Sequence, residues 1–589
     1  MVLGESASGR DPSADARDVV APHEFLSLYE DPEVILARCL SMYSQGPNVY
    51  MSEGVLDEVP PDVPGRVDLS DCSLHPTYPD TSPIGVAQRV LFSMNPQEFL
   101  HPDRKCPRYR SSQDNQRRHV ADLLSSRLCR KKTRTEREQG FARFFTVVKK
   151  VNDDGVATLR TILDCVTANE AFIDPLPVNL CNLHVLLGIF AEVECMRTLD
   201  LRHWFHQIRI GPFLQSMFTI AFGSLRLLWE VLAMGFKWAP FISQALTTMM
   251  VVGPEVASAW TELPRVIAFG DVRVVVIYDN IIAGGPEDQV DALWAQIHAR
   301  LHYYNALLKE GSDVKAVRGG SLDALGLRWL PSVKGLRWTL LPKFVKKVGE
   351  VLKLSGLCSC RIKEISSVIG LLAWGRYATR SDLCDLQQAY STLAADVAAH
   401  SWRGSTTPSK YCDVFDKLAA LQGFGWQQHS PAINEILAFT DAHNISGYGH
   451  VGGSPLTCTA RRWPIGSVFL PKDMYYLEAV GLKQTVLTFA RPNRRMFVAS
   501  DNKSLVAAVQ KRSTACPRTA RVLHEMFEHL RSMSAELILG WIPTAHNPSD
   551  ELSRHLPLDG EKLRVAERHV CWACSPSPEF GPRMGRVVG

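Results

Sequence analysis

Six carboxylates, in two groups, stand where a chain would need them for work on phosphate esters. Asp200 closes the apolar run Arg197-Thr-Leu-Asp200 and is followed five positions later by the aromatic Phe205. Asp279 lies between the β-prone runs Val274–Ile277 and Ile281–Ala283, a pattern that predicts a hairpin with Asp279 at its tip. These two acids, 79 residues apart, could meet on neighbouring strands. Phosphoryl transfer by two metals needs such a pair: one ion activates an attacking 3′ oxygen and the other steadies the departing pyrophosphate, with the ions about 3.5–4 Å apart.

The second group comprises Asp441, Glu478, Asp501 and Asp550. Ile436–Thr440 and Met496–Ser500 read as strands, each delivering an Asp at its end. Glu478 opens a segment with Ala479, Leu482 and Val486 at helical spacing, which places it at the edge of a buried face. Asp550 follows Pro548 at the start of a helix. Four carboxylates on two strand ends and two helices can converge on a pair of divalent ions, as hydrolysis of a phosphodiester by a metal-activated water requires. An Asp after a strand is ordinary as a turn residue or cap, so each acid alone says little. His546, nearby, is either a solvated loop residue or an aid to proton or product departure.

Positioning these groups takes several elements, and 589 residues with 46% hydrophobic composition can bury more than one core. Residues 1–100 hold eleven prolines and little periodicity, and are expected to form an irregular leader. A globular region of mixed strands and helices spans 101–342, a helical connector 343–430, alternating strands and helices 431–560, and a flexible tail 561–589. His569, Cys571 and Cys574 in that tail have the ligand types for zinc but lack a nearby second pair. Net charge is only +4, yet His101–Lys150 carries fifteen Lys or Arg against five Asp or Glu. That excess suits a polyanion, although a solvated basic face would look the same. Fifteen scattered cysteines, no signal-like start and no long apolar run point to a soluble cytoplasmic or nuclear chain with reduced thiols and no membrane partner.

The order of these blocks resembles the reverse transcriptases of retroelements, from about Phe141 to Arg554. Arg160-Thr-Ile-Leu-Asp164, followed by Asn169, looks like the family's fingers block. Leu232 to Gln244 is similar to its L-P-x-G-x-x-x-[SA]-P-x-x-F-Q block, with Ala233 in place of Pro and Ser243 in place of Phe. Leu325-Gly326 resembles the primer-grip turn, and Ile369–Trp374 a first thumb or connection helix. The nuclease acids resemble retroelement ribonuclease H, down to the closing N-P-S-D-E-L-S-R. That closing form looks like the tyrosine-recombinase (DIRS-type) or related LTR-like elements.

The resemblance implies an α+β multidomain chain, a right-hand polymerase of fingers, palm and thumb followed by an α/β ribonuclease H-like domain. It implies an RNA-directed DNA polymerase with ribonuclease H activity, two Mg²⁺ or Mn²⁺ ions at each site, and as partners an RNA template, a DNA primer, the RNA–DNA hybrid and deoxynucleoside triphosphates. Asp200, Asp279, Asp441, Glu478, Asp501 and Asp550 would be catalytic metal ligands. Lys149, Lys150 and Arg160 would meet the triphosphate and Phe205 would exclude a ribose 2′-hydroxyl. Gly235, lacking a Cβ, would admit template and nucleotide closely, and Gln244 and Asn280 would complete the substrate site. One departure stands out: the family's hairpin tip is Tyr-x-Asp-Asp, and here it is Ile277-Tyr278-Asp279-Asn280. An amide keeps the shape but loses a charge, weakening attraction for a divalent ion. The rivals are a non-catalytic RNA-binding scaffold that keeps the fold, and a chain that only cleaves RNA in hybrids.

Overall fold

The computed structural model describes residues 55–574, except 57–58, 61, 70–80, 94–96, 103–119, 152–156, 179, 182–185, 188, 191–192, 223–224, 333–334 and 430–434. The chain divides into two compact units, one built mainly from residues 44–341 and the other mainly from 342–425 and 432–576.

In the first unit, helix α1 (Pro83–Phe92) precedes the long strands β1 (Phe141–Val151) and β2 (Ala157–Asp164), which pair antiparallel. A five-stranded sheet follows, made of β3 (Cys195–Asp200), β4 (Ile267–Phe269), β5 (Val272–Ile277), β6 (Asn280–Gly285) and β7 (Val314–Val317), in the order β7-β3-β6-β5-β4. Helices α2 (Ala239–Val252) and α3 (Glu287–Tyr303) bury apolar faces in the same core as Val272, Val274, Val276 and Ile281. The leader departs from expectation. Ile84, Val86, Val90 and Leu91 of α1, with Val59, Val63 and Val67, belong to that core. Prolines break the periodicity there, but Ser82-Pro83 is itself a helix start: Ser82 accepts from Gly85 N–H (3.1 Å) and Pro83 occupies the first turn.

The second unit begins with helices α4 (Pro342–Leu352), α5 (Ile362–Ala378), α6 (Gln387–His400) and α7 (Cys412–Ala420). A mixed sheet follows: β8 (Glu435–His443), β9 (Gly447–Gly452), β10 (Thr457–Arg462), then helix α8 (Met474–Phe489), β11 (Arg495–Ser500), helices α9 (Lys503–Lys511) and α10 (Pro517–Ser532), and β12 (Glu536–Trp541). The order is β10-β9-β8-β11-β12, with β8, β11 and β12 parallel and β9 and β10 antiparallel. Period-two alternation sorts the side chains. Ala438, Met496, Val498 and Leu539 pack with α8, α9 and α10, whereas Phe439, Val451 and Ala499 pack with Leu552, Leu563 and Ala566. Those last residues lie on α11 (Ser549–Ser553) and α12 (Gly560–Cys574), so the expected loose tail is helical to Cys574. The side chains of His569, Cys571 and Cys574 lie outside the described residues. Among the described residues, no helix is long and apolar enough to cross a membrane.

Candidate active sites

Asp200 ends β3 and Asn280 begins β6, and the two are register partners. Leu201 N–H donates to Asp279 O (2.9 Å), so the turn bearing Asp279 closes against the end of β3. That two-residue turn is Tyr278-Asp279, with Tyr278 at φ 55°. A left-handed conformation costs a residue with a Cβ on the order of 1 kcal/mol, so something must hold it. Gln244 does. Its Nε2 donates to Val276 O (2.8 Å), and its Oε1 accepts from Tyr278 N–H (2.8 Å). Gln244 is only 2% exposed. Expected among the substrate-binding residues, it is placed instead inside the core, with its amide engaged at both ends by the hairpin.

Burial, then the neighbouring charge of Asp200, pushes the Asp279 carboxyl up to about 6. Asn280 Nδ2 donates to Asp279 Oδ1 (3.1 Å) and opposes that rise, a bond an aspartate in its place could not donate when ionised. Lys309 Nζ lies 2.6 Å from Asp200 Oδ2, and Lys309 N–H donates to Asp200 O (2.8 Å). The carboxylate pair therefore fits a cation, but an ammonium already sits on one oxygen. A cavity of about 460 Å³ opens beside it, lined by Thr198, Asp200, Asn280, Lys309, Asp323 and Arg328 among others.

The other residues expected at this site have varied placements. Phe205, half-buried on a short helix (Trp204–Gln207), packs against the core. At Gly235 a Cβ would lie 2.1 Å from Leu163 O, so the close approach is to the chain's own β2. Asn169 secures it: Nδ2 donates to Gly235 O (2.9 Å) and Oδ1 accepts from Lys237 N–H (2.8 Å). Arg160 is exposed on β2 opposite Val147, and Lys149 is exposed on β1; the side chain of Lys150 lies outside the described residues. Asp164 is paired with Arg143 (2.5 Å).

In the second unit, one carboxylate oxygen from each of Asp441, Glu478 and Asp501 lies within 4.8 Å of the others. Parallel pairing of β8 with β11, in register at Phe439 and Ala499, brings the two Asp residues to the same end of adjacent strands. Glu478 arrives from α8, which packs on β8 at Gly481, where a Cβ would be in ordinary contact with Asp441 O at 3.4 Å. Asp441 and Glu478 are 5% and 4% exposed. Desolvation first, and the neighbouring acids next, raise Asp441 to about 7 and Glu478 well above the carboxylate range. Glu478 Oε2 is buried without a hydrogen-bond partner. Crowded, desolvated acids with an orphaned oxygen fit a divalent cation, whose charge would let all three ionise.

Asp550 stands in the first turn of α11, paired with Arg554 (2.8 Å). Its charge acts on both Asp441 and Glu478, although its oxygens fall outside the close group of three. His546 closes a 3₁₀ turn (Thr544–His546) after β12. Three further residues, two of them letters of the closing N-P-S-D-E-L-S-R block, turn out to position the site. Asn547 Nδ2 donates to Thr440 O (3.1 Å), tying α11 to β8. Ser553 Oγ donates to Asp550 O (2.9 Å), bracing α11, and its hydroxyl holds the Asp441 carboxyl down against the burial. Gly449 lets α11 lie on β9, since a Cβ there would meet Leu552 Cβ at 2.5 Å.

An acid pair in one unit and an acid triad in the other are groups that could hold divalent cations. No protein-family model matches the chain, and no curated protein matches it in sequence. Among solved structures, a foamy viral protease-reverse transcriptase in complex with double-stranded DNA is similar at 13% identity and TM-score 0.41, covering 92% of this chain and 84% of that one. A second such complex shares 14% identity, and a third, with an RNA/DNA hybrid, 12%; both have TM-score 0.41 and cover 92% of this chain, and 99% and 64% of theirs. Likenesses this distant identify no activity.

Proposed function

We propose that the chain is an RNA-directed DNA polymerase with ribonuclease H activity, as in retroelements, copying RNA into DNA and degrading the RNA of the hybrid. The first unit would serve as fingers and palm, helices α4–α7 as thumb or connection, and the β8–α11 region as the nuclease. RNA template, DNA primer, hybrid and deoxynucleoside triphosphates would be its partners. The observation that carries this reading is the Asp441–Glu478–Asp501 group. When bound, Mg²⁺ or Mn²⁺ would activate a water toward the scissile phosphate and neutralise developing charge. The chain's own part is to hold three carboxylates at fixed separation in a desolvated corner, with Asp550 and Arg554 closing the open side. In the palm, Asp200 and Asp279 would do the same for the primer terminus, with Arg160 and Lys149 drawing in the triphosphate.

Purified full-length protein should cleave the RNA strand of an RNA–DNA hybrid in Mn²⁺ or Mg²⁺, and Asp501→Asn should lower that rate at least 10³-fold. It should also abolish the rise in melting temperature that Mn²⁺ produces in the nuclease unit. Retained cleavage in Asp501→Asn would sink the assignment.

The Asn280 amide and the Lys309–Asp200 pair favour a second reading for the palm alone, a non-catalytic grip on nucleic acid. Primer extension decides between them. The polymerase reading expects incorporation by the wild type, stronger in Mn²⁺ than Mg²⁺, and a lower Mg²⁺ requirement in Asn280→Asp. No incorporation with either ion in either protein would establish the grip.

A further inference from the structure

Beside Asp501, the nuclease unit carries a group that none of the metal chemistry uses. Trp541, the last residue of β12, is 48% exposed, an unusual state for the largest apolar side chain. The ring is not loose. Its Nε1 donates to Asp501 O (3.0 Å), which ties the indole edge to the residue that follows β11. Lys503 Nζ stands 4.5 Å from the ring centroid, in the first turn of α9. That helix start is fixed in turn by Asn502, whose Oδ1 accepts from Leu505 N–H (3.0 Å).

Ring, ammonium and metal-site acid thus occupy one end of two adjacent parallel strands, since Ser500 and Trp541 are register partners. In open α/β sheets the carboxyl ends of parallel strands are where ligands lie. A rigid, exposed indole paired with an ammonium matches one ligand chemistry well: a flat base or sugar face carrying a phosphate.

We infer that Trp541 and Lys503 form a nucleotide-binding platform next to the nuclease centre, the indole stacking one nucleotide of the hybrid and the ammonium meeting its phosphate. This rests on the nuclease reading above. Stacking of a base on an aromatic side chain contributes about 1–3 kcal/mol by alanine substitution, a roughly 5- to 150-fold change in affinity. Removing one phosphate contact lowers the slope of log K against log salt by about 1.

The test is fluorescence anisotropy of a labelled RNA–DNA hybrid with the full chain in Ca²⁺, with Mn²⁺-induced melting shifts measured on the same preparations. Trp541→Ala should weaken binding about tenfold or more, Trp541→Phe should recover most of it, and Lys503→Ala should weaken binding and flatten the salt dependence, with the Mn²⁺ shift preserved in all three. Wild-type binding with both Trp541→Ala and Lys503→Ala within twofold of it overturns the platform alone. A wild-type chain that neither binds nor cleaves hybrid overturns the nuclease reading and the platform together. If Trp541→Ala does not fold, Lys503→Ala with its salt slope decides: an unchanged slope overturns the platform.

Discussion

At the residue scale, the acids of the second unit set against one another make the clearest pH signature. Asp441 is protonated in the folded chain up to about 7, against an ordinary value of 3.8. Its folded value is raised, so the associated stability is fully present below about pH 4 and is lost as pH climbs through 7. Asp441→Asn removes that loss. Without divalent cations, the variant should match the wild type in thermal stability near pH 4 and exceed it at pH 8 by on the order of 4 kcal/mol, at about 1.4 kcal/mol per pH unit. Mn²⁺ should close the gap by stabilising the wild type. Equal melting of the two proteins across that range, without metal, would show that the acids are not crowded as described. Motif order was enough to select Asp441, Glu478 and Asp501 as candidates from the sequence. It gave no hint that Lys309 would lie on Asp200 or that Gln244 would turn inward, because both depend on which strand end faces which helix.

At the element scale, close approaches place the acids. Helix α11 reaches β9 only because Gly449 has no Cβ; a methyl carbon added there would fall 2.5 Å from Leu552 Cβ and 2.6 Å from Ser553 N. Gly449→Ala should push α11 away, withdraw Ser553 and Asp550 from Asp441, and destabilise the nuclease unit by about 1–3 kcal/mol, the usual overpacking range. Hybrid cleavage should fall more than tenfold, while Gly560→Ala, where the backbone is not left-handed and a Cβ meets nothing within 4 Å, serves as a control of low packing demand. Normal cleavage and melting in Gly449→Ala would contradict the packing described. Strand and helix identities were legible here: the apolar runs ending at Asp441 and Asp501, and the spacing of Ala479, Leu482 and Val486, correspond to β8, β11 and α8. Helices α1 and α12 were not, since prolines around the first and the polar residues of the second mask short buried faces such as Leu563 and Ala566.

At the scale of the whole molecule, two units with separate cores carry the two acid groups. Sites with no shared partners act additively. Asp200→Asn should therefore leave RNA-strand cleavage within about twofold of wild type while removing any primer extension, and the double variant Asp200→Asn/Asp501→Asn should show the sum of the two single losses. A drop in cleavage caused by Asp200→Asn alone would mean that the units are coupled. The helices of 342–425 belong to the same compact unit as the β8–β12 sheet: Arg380 pairs with Glu536 (2.9 Å), and the buried Asp382 accepts from His524 (3.1 Å). Charge pattern could not reveal that, because the partners lie 142 or more residues apart.

The sequence by itself determined the six acids, their order, the amide at Asn280 and the strand or helix that carries each, because local periodicity and turn chemistry act over a few residues. Only the tertiary structure decided which acids converge. Parallel register aligned Asp441 with Asp501, Gly449 let α11 come within reach, and burial raised the carboxylates to where a cation is wanted. Those outcomes depend on contacts between segments tens to hundreds of residues apart, where a missing Cβ or one buried amide has no signature in the residues on either side of it.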